Sequence, residues 1–100
     1  MILYNVTINI DKAVEQEWLG WMQEVHVPEV MATGLPVASK VLRLLTEVDN
    51  GGTTYTFQYS FRRMEDYVQY QDRFSTGLQQ KVLERYPDRF VSFRSLLEEV

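Results

Sequence analysis

The sequence predicts an α+β domain of order β-α-β-β-α-β, and three observations lead there. Residues 2–10 and 53–61 alternate apolar and polar side chains with period two, the pattern of half-buried strands. Residues 12–26 and 64–86 carry apolar side chains at helical spacing. The chain has 100 residues, 45% hydrophobic and 24% charged. That is room for one domain, spanning residues 1–100, around a single core.

In the first strand Ile2, Tyr4, Val6, Ile8 and Ile10 share one face, and Leu3, Asn5, Thr7 and Asn9 the other. Asp11 is a candidate N-cap for the helix that follows. In that helix Val14, Trp18, Trp21, Met22 and Val25 form one apolar stripe. Pro28 is expected to end it, because proline lacks a donor and clashes with the preceding turn. A short turn from Pro28 to Thr33 then restarts with proline at its first position. Gly34 suits the left-handed residue that closes it.

Residues 37–48 read as the second strand. Leu44-Leu45 breaks its alternation, which suggests a bulge or a doubly buried end. Asp49-Asn50-Gly51-Gly52 is a hairpin turn of residues that tolerate positive φ. The third strand sets Tyr55, Phe57, Tyr59 and Phe61 against Thr54, Thr56, Gln58 and Ser60. The second helix places Tyr67, Tyr70, Phe74, Leu78 and Val82 on one stripe. Glu65 and Asp66 favour its positive end, Ser75-Thr76-Gly77 predicts a kink, and Pro87 a stop. After that, Val91, Phe93, Ser95 and Leu97 fit a strand, whereas Phe90, Phe93, Leu97 and Val100 fit a helix. Three strands and two helices leave a sheet that a fourth strand completes, so residues 91–98 are assigned to it. The result is the ferredoxin-like arrangement, a four-stranded antiparallel sheet with both helices on one face.

Composition narrows the function classes. A net charge of −4, from 14 acidic and 10 basic residues, disfavours nucleic acid or an anionic membrane as partner. RNA-recognition domains share this element order and stack bases on strand aromatics facing away from the helices. Here that face would carry Asn5, Thr7, Asn9, Thr54, Thr56, Gln58 and Ser60, with no stacking platform. There is no cysteine, hence no disulfide, thiol catalysis or thiolate metal site. Polar Asn5, Thr7 and Asn9 interrupt the first apolar stretch, so neither an export signal nor a membrane span is expected, and the default location is cytoplasmic.

Several stretches resemble a known family. They are Tyr4-Asn5-Val6-Thr7, Trp18-Leu19-Gly20-Trp21-Met22, Tyr67-Val68-Gln69-Tyr70-Gln71 and Phe93-Arg94-Ser95-Leu96-Leu97-Glu98, with His26-Val27-Pro28-Glu29-Val30-Met31-Ala32-Thr33-Gly34 the most specific. Together they resemble an uncharacterised domain-of-unknown-function family, DUF4286, related to the dimeric α+β barrels. That superfamily includes cofactor-free monooxygenases, small isomerases and dye-decolourising haem enzymes. The resemblance implies a ferredoxin-like protomer paired sheet-to-sheet as a homodimer. It implies no activity, substrate or cofactor, and no catalytic set of the enzymatic branches is matched here.

Among chemistry-bearing residues, His26 is the single histidine. It ends the Trp18–Met22 stripe. It either bonds a carbonyl and fixes the Pro28 turn, or stands at a pocket mouth as a general base or ligand contact. A helix C-terminus would favour its cation, and burial would oppose it. Glu24 and Glu29 lie close in sequence, but one histidine is too few for a usual zinc site, and no metal is assigned. No G-x-S-x-G, P-loop or G-x-G-x-x-G pattern occurs. Tyr4, Trp18, Trp21, Met22, Tyr55, Tyr59 and Tyr67 are the candidate ligand contacts between helices and sheet. Their first reading is core, but each buried tyrosine needs a hydrogen-bond partner, and hydroxyls converging in an apolar cleft suit a small molecule. Tyr70 belongs to the same aromatic set, and Arg43 or Arg94 could add a charge. Three functions follow: a binder of a small apolar or aromatic molecule, a cofactor-free monooxygenase or isomerase using His26, or a structural dimer with a filled core.

Overall fold

The computed structural model describes residues 1–46 and 51–100. Strand β1 (Ile2–Asp11) lies at the centre of a four-stranded sheet with β2 (Ala38–Arg43), β3 (Gly52–Phe61) and β4 (Phe90–Glu98). The order across the sheet is β2-β3-β1-β4, and every pairing is antiparallel. The ferredoxin-like arrangement is therefore as the sequence predicts, with the tail a strand. β1 and β3 pair with Tyr4 opposite Tyr59, Val6 opposite Phe57 and Ile8 opposite Tyr55. This register puts both apolar rows on the face that the helices cover.

The first helical arm runs from α1 (Glu15–Trp21) through a π-helical turn (Met22–His26) into α2 (Val27–Ala32). Pro28 does not end the helix, contrary to expectation. The Val27 N–H bonds the Met22 carbonyl, five residues back, and a widened turn accommodates proline's missing donor and its ring. The expected closure at Gly34 holds, with φ +79° and its N–H on the Met31 carbonyl at 3.1 Å. The second arm runs from α3 (Met64–Tyr70) through a π turn (Gln71–Ser75) into α4 (Thr76–Arg85). Its irregularity thus lies just before the Ser75–Gly77 stretch predicted to kink. Asp11 does not cap α1: its carboxylate accepts from Ala13 N–H at 2.9 Å and from Arg89 at 3.0 Å.

The second strand is shorter than residues 37–48. It ends at Arg43, although Leu44 N–H still bonds the Thr54 carbonyl at 2.9 Å. Leu45 is 82% exposed, so no doubly buried end forms. Of the hairpin turn, Asp49 and Asn50 lie outside the described residues, and Gly51 has φ +81°.

The core sits between the arms and the β1–β3 ribbon. Trp18, Met22 and Val30 from the first arm, and Tyr70, Val82 and Tyr86 from the second, cover Ile2, Tyr4, Ile8, Ile10, Tyr55, Phe57, Tyr59 and Phe61. Trp18 packs on Tyr55 and edge-on to Phe57, with ring centroids 5.4 and 5.6 Å apart. Val25, expected on the buried stripe, is instead exposed. No helix among the described residues is long and apolar enough to cross a membrane.

The opposite face of the sheet is uncovered. Its middle is polar, with Thr7 and Thr56 hydroxyls 3.0 Å apart and Asn9 bonded to Thr54. Its flanks are apolar: Val91, Phe93 and Leu97 on β4, and Leu42 on β2, are all exposed. Phe93 is 64% exposed.

Trp18 is fully buried. Trp18→Ala should cost about 3–5 kcal/mol in urea unfolding. A loss under about 1 kcal/mol would contradict the packing of α1 on β3.

Candidate functional site

An open cavity of about 290 Å³ lies between the helical arms and the sheet. Its floor is the helix-facing side of the three strands β1, β3 and β4: Tyr4, Val6 and Ile8, then Phe57 and Tyr59, then Phe90, Ser92 and Arg94. Its roof is Met22 and His26 from the first π turn, with Tyr70, Gln79, Val82 and Leu83 from the second arm. Leu83, Ser92 and Arg94 are exposed, so the mouth opens between α4 and the edge strand β4.

The cavity exists because the arms cover β1 and β3 and leave β4 bare. The π turn sets Met22 and His26, four residues apart, on the same wall. Such turns recur at functional sites because they re-aim side chains without breaking the helix. Gln79 is held by a 2.6 Å hydrogen bond to the buried Ser75 hydroxyl.

The candidates named from sequence divide into two groups. Tyr4, Met22, His26 and Tyr59 line the cavity. Trp18, Trp21, Tyr55 and Tyr67 do not, and each has another packing role. Tyr55 donates its hydroxyl to Glu15 Oε2 at 2.6 Å, while Thr53 donates to Oε1 at 2.8 Å. This ties α1 to β3, and the Tyr55 hydroxyl bond holds the Glu15 carboxyl below its ordinary range. Tyr67 packs edge-on to Phe61 and tilted against Tyr4. Trp21 stacks on His26, with centroids 6.0 Å apart, and the Arg85 guanidinium lies 5.3 Å from its ring.

Tyr70 and Arg94 also line the wall, along with Gln79 and Ser92. The helical stripe carried Tyr70. The signal for Phe90, Ser92 and Arg94 is period two along β4, usable only once its pairing with Ile10, Ile8 and Val6 is known. Of the two candidate arginines, Arg94 is at the cavity, whereas Arg43 stands opposite Tyr55.

Two features set the cavity's chemistry. The Tyr4 and Tyr59 side chains are each 2% exposed, and their hydroxyls have no protein hydrogen-bond partner among the described residues. Burial pushes the Tyr59 and Tyr70 hydroxyls well above the ordinary phenol range, so they are neutral donors. The second feature is His26. The helix continues past it, so no helix terminus stabilises its cation. Burial instead pushes its pKa down to about 4, against the pull of Glu29 and with a push from Lys81. Those two side chains form a 2.7 Å ion pair joining α2 and α4. No hydrogen bond joins the His26 ring to a carbonyl among the described residues, and no cluster of His, Cys, Asp or Glu there could hold a metal.

The depressed pKa has a sign. The unfolded chain takes up the proton near pH 6.5 and the folded chain only near 4, so His26 favours folding above 6.5 and opposes it as pH falls toward 4. Between those values wild type should lose on the order of 1 kcal/mol per pH unit more than His26→Gln. Urea unfolding at several pH values reads this, and parallel curves would contradict it.

No curated protein matches the sequence. Solved structures match over nearly the whole chain. A putative antibiotic biosynthesis monooxygenase from Nitrosomonas europaea superposes with a TM-score of 0.70 at 7% identity, covering 100% of this chain and 99% of that one. A variant of SnoaB, a cofactor-independent oxygenase from Streptomyces nogalater, gives 0.69 at 11%, covering 98% and 92%. A dimeric ferredoxin-like protein from an uncultured marine organism gives 0.63 at 14%, covering 99% and 97%. At such identities the likeness is one of fold, shared with monooxygenase-like dimeric α+β barrels. A family profile matches residues 1–100 in full, and the chain belongs to the domain-of-unknown-function family DUF4286.

Proposed function

We propose that the protein is a cytoplasmic homodimer that binds a small, largely aromatic molecule in the cavity between its helices and sheet. The observation that carries this is the open, largely apolar cavity itself, with the Tyr4 and Tyr59 rings in its wall and their hydroxyls buried without a protein partner among the described residues. A buried hydroxyl without a partner costs about 1–3 kcal/mol, and a small side-chain shift that brought it to an acceptor on a bound molecule would remove that cost. The cavity, about 290 Å³, is roughly twice the ~150 Å³ that admits a benzene. A one- or two-ring molecule fits.

A catalytic reading is supported by one observation, the neutral His26 ring on the cavity wall, and by the fold shared with a cofactor-independent oxygenase. Magnitudes weigh against it. Taking a proton from an ordinary phenol, pKa about 10, onto an imidazole of pKa about 4 is uphill by roughly 8 kcal/mol. Binding needs no such step. Oxygen uptake on adding a bound phenol, lost in His26→Gln, would favour the enzyme instead.

The dimer is proposed through the bare sheet face. Exposed Val91, Phe93, Leu97 and Leu42 flank a polar centre, and a second copy would bury all four. A stable homodimer of this kind buries about 2,000 Å² or more. One solved structure of the same fold is a dimeric ferredoxin-like protein.

Two outcomes test these readings. In methyl NMR, one- and two-ring aromatic compounds should shift Ile8, Met22, Val82 and Leu83 together. Val82→Phe, which fills the cavity, should abolish those shifts while the protein stays folded. Shifts elsewhere only, or none, would sink the binding reading. Light scattering should give twice the protomer mass at micromolar concentration, and Phe93→Asp should halve it. A wild-type monomer would sink the dimer.

A further inference from the structure

The charge balance of the cavity says more about its occupant. Fourteen residues line it, and none is Asp or Glu. One is a permanent cation, Arg94, which has no carboxylate partner among the described ion pairs. In a chain of net charge −4, the residues of the wall themselves carry a positive charge.

Donors are placed to match. Tyrosine O–H groups donate to an anionic oxygen as well as to a neutral one, and bonds to charged acceptors are about twice as strong. The Tyr4 ring centroid is 6.5 Å from that of Tyr59 and 6.3 Å from that of Tyr70, so three hydroxyl-bearing rings gather at one end of the cavity. The positive charge of Arg94 reaches this group: at the Tyr70 hydroxyl it opposes the upward push of burial and of the neighbouring Tyr4. Most of the remaining wall, including Met22, Phe57, Val82 and Leu83, is apolar, with His26, Gln79 and Ser92 the polar exceptions.

We propose that the occupant is an aromatic carboxylate, with its ring against the apolar wall and its charge balanced by Arg94. This rests on the binding reading above and narrows it to a class of ligand. Neutral His26 adds no competing charge, and Arg94, being exposed at the mouth, admits the anion without a fully buried ion pair. Guanidinium suits a carboxylate because its fork matches both oxygens.

The test compares 2-naphthoate with its neutral isostere 2-naphthamide, by titration calorimetry at pH 7 and low salt, on wild type and Arg94→Gln. Wild type should bind the acid at least tenfold more tightly than the amide. In Arg94→Gln that preference should fall to near unity, while the melting temperature stays within a few degrees of wild type. Equal binding of acid and amide would overturn the inference and leave the cavity reading standing. A preference that survives Arg94→Gln would overturn the role of Arg94. Failure of both compounds to bind at millimolar concentration would overturn the cavity reading, and this inference with it.

Discussion

The register between β1 and β3 is the constraint on which the rest depends. Tyr4 faces Tyr59, Val6 faces Phe57 and Ile8 faces Tyr55, so both rows of large side chains point to one side. A slip of one residue would exchange them for Asn5, Thr7 and Asn9. The Thr7–Thr56 and Asn9–Thr54 contacts on the far face support the same alignment. The rows also fix where polar atoms lie within the apolar layer. Tyr55 meets Glu15, but Tyr4 and Tyr59 find no protein acceptor among the described residues. One end of the layer is closed by a charged tie, and the other is left as a polar-ended cavity.

The helical arms complete that geometry by covering only part of the sheet. Each contains a π turn, Met22–His26 and Gln71–Ser75, and each turn puts a residue at the cavity directly or through a neighbour. The first contributes Met22 and His26. The second supplies Ser75, whose hydroxyl holds Gln79. Because the first arm continues beyond His26, its C-terminal dipole acts about two turns away, near Thr33. Burial is then the dominant influence on the imidazole, which makes the cavity's single permanent charge that of Arg94.

Much of this was legible in the sequence, for identifiable reasons. Period two in residues 2–10 and 53–61 is unambiguous because alternate positions are polar, and it gave the correct inward face for Tyr4, Phe57 and Tyr59. The tail needed architecture as well as pattern, since Phe93 and Leu97 satisfy both periods. Pro28 was misleading because a proline's cost depends on the turn before it, and a π turn leaves no mark that local propensity can see. Tyr4, Met22, His26 and Tyr59 were identifiable as inward-facing and near one another. Tyr55 and Tyr67 looked equivalent, but a long-range partner, Glu15, occupies one, and packing on Phe61 and Tyr4 engages the other. Arg94 could be named as a charge, but its place on the wall depends on the β1–β4 register, which periodicity alone does not supply.

The central claim is that the Tyr4 and Tyr59 hydroxyls make no hydrogen bond within this chain among the described residues. The most direct measurement is the unfolding free energy, in urea at pH 7 without added ligand, of Tyr59→Phe and of Tyr4→Phe/Tyr59→Phe. Removing a hydroxyl that makes no protein bond forfeits none and relieves its desolvation. The account predicts stability within about 0.5 kcal/mol of wild type, or above it. A loss of about 1.5 kcal/mol or more per hydroxyl would contradict it, by showing that these groups are already bonded within the fold.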